Sequence, residues 1–357
     1  MDDYSYRAAS PGEPFTELVP GTHHERVLSL DFLAGSYVAI CCFGSSCDPR
    51  GQAVIKAVLE NKALFDGKNL CFMGITIDPT DQHSGRLPGD TIGLYFRLDS
   101  DCKISQRCGA APLGKVPCGT GYRMTWMIID PTLRVMATFG IPAAEANSKY
   151  VFNYLRRLLE PSSYGACEIP APVIVLPNVF DHGLCDQLVK LYDNGVSRDS
   201  GFMRHNVEVF DRSFKSRRDY LIEDEGIKTS IQKRIAACIV PEIRKLFFMD
   251  VTRMERFLVA KYAADENGHF NPHRDNGQRV TAHRRFAVSL ALNDDFEGGD
   301  LLFPEYNRKP HKIPKGWAIV FPCAILHALE RVTRGNRYAF LPFLYDEAGA
   351  AIKVDSV

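Results

Sequence analysis

The stretch Arg285-Phe286-Ala287-Val288-Ser289-Leu290-Ala291-Leu292-Asn293 reads as a β-strand. Phe286, Val288, Leu290 and Leu292 alternate with Ala287, Ser289, Ala291 and Asn293. That period of two sends large apolar side chains to one face and smaller or polar ones to the other. Further strands are expected downstream at 300–303, 317–321 and 337–345. Upstream, a short strand at 173–176 precedes a helix that Asp181 caps and Gly195 stops. A second helical stretch carries Ile227, Ile231, Ile235 and Ile239, and Pro241 breaks or restarts it. Helices followed by a run of strands imply a β-sandwich or jelly roll with helices packed outside.

Pro161, Ser162, Ser163, Gly165, Pro170 and Pro172 form a linker before this region, so the chain divides into domains 1–164 and 165–357. The first half alternates strands (37–43, 70–77, 125–129 and 134–139) with helices (52–65 and 147–159). Such alternation implies an α/β sheet covered on its faces.

At 357 residues the chain is long enough for two domains. Hydrophobic residues make up 45% and charged residues 24%, which excludes a disordered chain. Lys+Arg and Asp+Glu stand at 43 each, so no global field would draw the chain to nucleic acid or an anionic membrane. The basic clusters Arg212, Lys215, Arg217, Arg218 and Arg279, Arg284, Arg285 read as solvated or ion-paired faces. No apolar run approaches the length of a membrane span, and the opening MDDYSYRAASPGEP lacks an apolar signal region. The eleven cysteines, with no CxxC pair, read as reduced thiols of a cytoplasmic protein.

The chemistry concentrates in His269-Phe270-Asn271-Pro272-His273-Arg274-Asp275. In extended backbone, His273 and Asp275 lie on one side and can present an imidazole and a carboxylate to one point. His327 follows the apolar strand 317–321, and Arg337 opens the next strand. Two imidazoles and one carboxylate with open positions beside them are the facial triad of non-haem Fe(II) oxygenases. Arg337 adds a planar, permanently charged fork suited to the far carboxylate of a dicarboxylate.

Residues 170–347 resemble the prolyl-4-hydroxylase-like branch of the 2-oxoglutarate/Fe(II)-dependent dioxygenases. The resemblance lies in Ala260-Lys261-Tyr262, His273-Arg274-Asp275-Asn276, and Leu292 through Asp300 (LNDDFEGGD). It continues through Pro314-Lys315-Gly316, Val320-Phe321, His327 and Val332 through Tyr338 (VTRGNRY). It implies a double-stranded β-helix (jelly roll), with Fe(II) on His273, Asp275 and His327 and 2-oxoglutarate held by Arg337 and Tyr262. O₂ is the implied oxidant and ascorbate a candidate reductant. The activity implied is hydroxylation of an unactivated C–H bond in a prolyl or other amino-acid or peptide-type substrate. Family members that transfer halide lack the carboxylate, so Asp275 points to hydroxylation. His269 and His283 read as exposed or supporting histidines.

Residues 11–160 resemble the peroxiredoxin family, which implies a thioredoxin fold. Pro11-Gly12-Glu13-Pro14-Phe15, Leu28 through Phe32 followed by Ala34 through Val38, and Arg123 through Pro131 carry that resemblance. Cys47 falls at the peroxidatic position, with Arg123 as its expected partner. Gly44-Ser45-Ser46-Cys47 lacks the threonine of the family's T-x-x-C, so a catalytically degenerate domain is expected, serving packing or a homodimer contact. Two other functions stand beside the oxygenase: a thiol peroxidase using Cys47, and a non-catalytic iron- or oxygen-sensing binding protein.

Overall fold

A computed structural model describes residues 4–15, 30–83, 85–114, 116–140, 148–158, 160–166 and 169–353. Leu28, Ser29, Asn147, Leu159 and Cys167 lie outside the described residues. The chain forms two compact units, Met1–Ile169 with Glu305–Asn307, and Pro170–Pro304 with Arg308–Val357.

The first unit is built on a five-stranded sheet in the order Leu94–Leu98, Leu70–Thr76, Tyr37–Gly44, Thr125–Ile129, Val135–Gly140. The first three strands run parallel and the last two antiparallel. Tyr37–Gly44 is buried along almost its whole length, which explains an apolar run without alternation. The helix Pro49–Glu60 starts at Asp48, whose carboxylate accepts from the Arg50 amide, and ends before the predicted 65. Trp126 is fully buried at the centre of the core, and its indole N–H donates to Ser148 Oγ at 2.9 Å. Cys102 and Cys118 are joined in a disulfide with Cα atoms 5.7 Å apart, correcting the expectation of thiols throughout. Local folding brings the two cysteines together across 16 residues of sequence, a closure that no cysteine spacing signals.

The second unit stacks two antiparallel sheets. One has the order Lys215–Ser216, His269–His273, His327–Leu329, Leu301–Phe303, Asn307–His311. The other runs Arg253–Glu255, Phe343–Tyr345, Phe286–Ala291, Asn336–Phe340, Leu258–Ala263, Arg218–Leu221, Arg198–Asp199. Ala318–Pro322 also pairs with Phe286–Ala291, and Ile174–Leu176 with Ala318–Pro322. This many-stranded sandwich is consistent with a jelly roll.

Phe286–Ala291 divides as its alternation predicts. Phe286, Val288 and Leu290 join a core with Leu188, Ile231 and Ile235 from the helices, while Ala287 and Ser289 line a cavity on the other face. The helices run His182–Asn194, Glu225–Cys238 and Val240–Phe247, with Asp181 and Asp224 as caps. The strand expected at 337–345 is two strands, Asn336–Phe340 and Phe343–Tyr345, because Pro342 interrupts the ladder. No helix among the described residues is long and apolar enough to cross a membrane.

Candidate metal centre

His269–His273 pairs antiparallel with His327–Leu329, and His273 lies directly opposite His327. The register slips between Phe270 and His273, where Pro272 has no N–H to give the ladder. Past the strand end, the Asp275 amide donates to Cys323 O at 3.0 Å, which turns the carboxylate back toward the imidazoles. Asp275 Oδ1 is 3.6 Å from His273 Nε2, and Oδ2 is 3.2 Å from His327 Nε2. One ligand atom from each of the three residues falls within 4.8 Å of the others.

Both imidazoles are held from behind. His273 Nδ1 lies 2.8 Å from Asn271 O and His327 Nδ1 3.2 Å from Ile325 O. A carbonyl can only accept, so each Nδ1 carries the hydrogen, and in the neutral ring this leaves the Nε2 lone pair for a metal. Burial, and next the neighbouring His327, push His273 down to about 4, which keeps that ring neutral. Burial alone would raise the Asp275 carboxyl, but the imidazoles, His327 first, hold it well below the usual carboxylate range. Two imidazole nitrogens and one carboxylate oxygen converging on a point suit a divalent transition metal such as Fe(II).

The triad opens onto a cavity of about 70 Å³ between the two sheets, lined by Phe270, Leu301, Phe321, Leu329 and Phe343 as well as polar groups. Arg337 is buried on its wall and donates from Nη2 to Ser289 Oγ at 2.9 Å. It has no carboxylate within ion-pair distance among the described residues; Asp300 acts on it only from farther away. Gly299 makes this placement possible. A Cβ there would sit 3.1 Å from Arg337 Cδ and 2.8 Å from Val332 Cγ2. A buried guanidinium held by one hydroxyl fits a carboxylate guest. Tyr262 is a packed strand aromatic whose hydroxyl accepts from Arg217 Nη1 at 3.3 Å on the cavity wall.

Sequence reasoning missed three cations. Lys215 and Arg217 are buried, so that part of the basic cluster is not a solvated face. Arg217 Nη2 is paired with Asp219 at 2.6 Å, and Lys215 Nζ donates to Ser200 Oγ and Gly201 O. Arg256 lines the cavity, and burial, reinforced by Arg217 and Arg284, lowers its pKa to about 10, leaving it a cation at neutral pH. Arg212 and Arg218 do ion-pair, both with Asp199. His269 and His283 are buried rather than exposed: His269 bonds Asn267 O and Ser213 O, and His283 Nε2 bonds Glu255. None of these placements shows in the sequence: Lys215 opens the two-residue strand Lys215–Ser216, and Arg217 lies between it and Arg218–Leu221 of the other sheet.

In the first unit Cys47 is exposed beside the helix cap Asp48, and its amide donates to Ser45 Oγ. Arg123 stacks its guanidinium 3.6 Å from the centroid of the Tyr6 ring.

A model of the 2OG-Fe(II) oxygenase superfamily matches residues 257–345. Procollagen-lysine,2-oxoglutarate 5-dioxygenase 1 of Mus musculus is 28% identical over 193 residues, covering 50% of this chain and 24% of that protein. A PKHD-type hydroxylase of Paracoccus denitrificans is 34% identical over 84 residues, 21% of this chain and 37% of its own. The chain therefore spans about a quarter of the first of these relatives and little over a third of the second. Among solved structures, a Trichoplax adhaerens prolyl hydroxylase in complex with a hypoxia-inducible-factor oxygen degradation domain peptide fragment matches with a TM-score of 0.43. It is 19% identical and covers 52% of this chain and 88% of its own. With the matched segment carrying His273, Asp275, His327 and Arg337, the second unit of this chain contains a 2OG-Fe(II) oxygenase domain.

Proposed function

We propose that the chain is a 2-oxoglutarate-dependent dioxygenase that hydroxylates an unactivated C–H bond. The observation that carries this reading is the convergence of His273, Asp275 and His327 on the cavity that also holds Arg337. The three residues would hold Fe(II), and Arg337 with Tyr262 would hold 2-oxoglutarate. With O₂, the bound iron and cosubstrate supply oxidation of a C–H bond to C–OH, with 2-oxoglutarate leaving as succinate and CO₂.

The chain's own residues do the positioning. Ser289 fixes the Arg337 fork so that it meets a carboxylate without reorganising. Arg217, anchored by Asp219, orients the Tyr262 hydroxyl. Asn271 O and Ile325 O hold the histidine rings. Phe270, Leu301, Phe321 and Leu329 keep water from the reacting atoms. The relatives include a procollagen-lysine dioxygenase, which supports an amino-acid-type substrate, prolyl or other. Consumption of 2-oxoglutarate and O₂ by the Fe(II)-loaded chain tests the reading. We expect turnover to succinate in the wild type and none in Asp275→Ala; equal turnover in both would overturn it.

The first unit we read as a thioredoxin-like domain, 1–164, beside an oxygenase domain, 165–357. Its central parallel strand leading into the Pro49–Glu60 helix, with an antiparallel pair completing one side of the sheet, supports the fold. Its role in this reading is packing or partner contact rather than peroxide reduction, because Ser45 and Ser46 are engaged with Asp78 and Asp81.

A further inference from the structure

Three guanidinium groups line the cavity: Arg217, Arg256 and Arg337. Arg217 is neutralised by Asp219. Arg337, in the reading above, meets the far carboxylate of 2-oxoglutarate. Arg256 is left over. Among the described residues it has no hydrogen-bond or ion-pair partner, and its guanidinium lies over the Phe343 ring, 5.5 Å from the centroid. The adjacent acid cannot serve it, because the Glu255 carboxylate is already taken by His283, Arg284 and Lys353. Asp275, the one acid on the cavity wall, belongs to the metal triad.

The charges of the loaded site make the surplus explicit. A divalent iron, the Asp275 carboxylate and the near carboxylate of 2-oxoglutarate sum to zero, and the far carboxylate cancels Arg337. Arg256 then remains a half-buried cation on a largely apolar wall, with its charge unmatched by any acid beside it and open to an anionic guest. Its backbone is also unusual. Arg256 sits at φ +68°, in the left-handed region that side chains with a Cβ rarely adopt, between the strands Arg253–Glu255 and Leu258–Ala263.

We propose that Arg256 binds the carboxylate of the substrate, so that the C–H bond oxidised belongs to a small free carboxylic acid, most simply a free amino acid, and not to an internal residue of a peptide. This rests on the oxygenase reading above and adds the substrate class to it. The reaction balances as in that reading: the substrate C–H breaks, one atom of O₂ enters as hydroxyl, and the other leaves in succinate. The substrate carboxylate is unchanged and serves only as the handle. A charge-assisted pair between guanidinium and carboxylate contributes about tenfold or more in affinity.

The test is thermal-shift titration of the full chain, kept anaerobic with Fe(II) and 2-oxoglutarate. The probes are the proteinogenic free amino acids and, in parallel, their carboxamides. At least one free acid should raise the melting temperature, and its amide should need tenfold or higher concentration for the same shift. Arg256→Gln should erase that preference while binding 2-oxoglutarate as the wild type does, and Arg256→Lys should restore part of it. The proposal is overturned if no free acid stabilises a chain that 2-oxoglutarate does stabilise, or if acid and amide act equally. It is also overturned if Arg256→Gln weakens 2-oxoglutarate as Arg337→Ala does, or if Arg256→Lys folds and restores none of the preference. If neither Fe(II) nor 2-oxoglutarate stabilises the wild type, the oxygenase reading itself has failed, and this inference with it.

Discussion

His273 and His327 face one another in register across two antiparallel strands, with ring centroids 4.2 Å apart. Residues distant in sequence thus become neighbours through strand pairing, and the Asp275 carboxylate closes the set from the end of one strand. Register is the vulnerable element, since a slip of one residue would turn either imidazole to the opposite face of its sheet.

Arg337→Ala should weaken 2-oxoglutarate far more than it weakens Fe(II). A charge-assisted contact of this kind contributes about 1.5–3 kcal/mol, or roughly ten- to a hundredfold in affinity. Calorimetric titration of the metal-loaded chain checks this, and unchanged affinity would mean that a different cation holds the cosubstrate.

Asp219→Asn should destabilise the second unit by roughly 3–5 kcal/mol, because it leaves the buried Arg217 guanidinium without its counter-charge. Urea unfolding measures the loss. A change below about 1 kcal/mol would place the pair among ordinary surface ion pairs.

Stability should fall in acid through Glu255. Burial opposes its ionisation, yet Lys353, Arg284 and His283 bring its pKa down to about 2 from an ordinary 4.5. Because the folded value is the depressed one, the contribution is complete above about pH 4.5 and is lost as pH falls toward 2. Glu255→Gln should remove that part of the acid limb, seen in melting temperature against pH. An unaltered acid limb would show that other carboxylates set it.

The sequence made some of this plain and hid the rest for physical reasons. Phe286–Ala291, the Asp181-capped helix and the convergence of His273, Asp275 and His327 were readable because each rests on local pattern: alternation, cap chemistry, or a motif with fixed spacing. Lys215, Arg217 and Arg256 were not. A charged side chain in a sequence reads as surface, and only tertiary packing reveals that Asp219 or a cavity wall receives it. The Cys102–Cys118 pair was hidden likewise, because loop closure sets it. The strand Leu94–Leu98 went unread because it is short and only partly buried at the sheet edge.

Cys47→Ser should leave hydrogen peroxide consumption with a thiol reductant unchanged. Ser45 and Ser46 spend their hydroxyls on Asp78 and Asp81, so the Cys47 loop offers a peroxide few in-line donors. Fast turnover abolished by this substitution would give the first unit an activity of its own.

The most direct measurement is an anaerobic Fe(II) titration of the wild type beside His273→Ala, Asp275→Ala and His327→Ala. The wild type should bind one equivalent tightly, and each variant should lose at least tenfold in affinity, since outer partners alone contribute that much at such sites. Stoichiometric binding of undiminished affinity in all three variants would contradict the metal centre and with it the oxygenase.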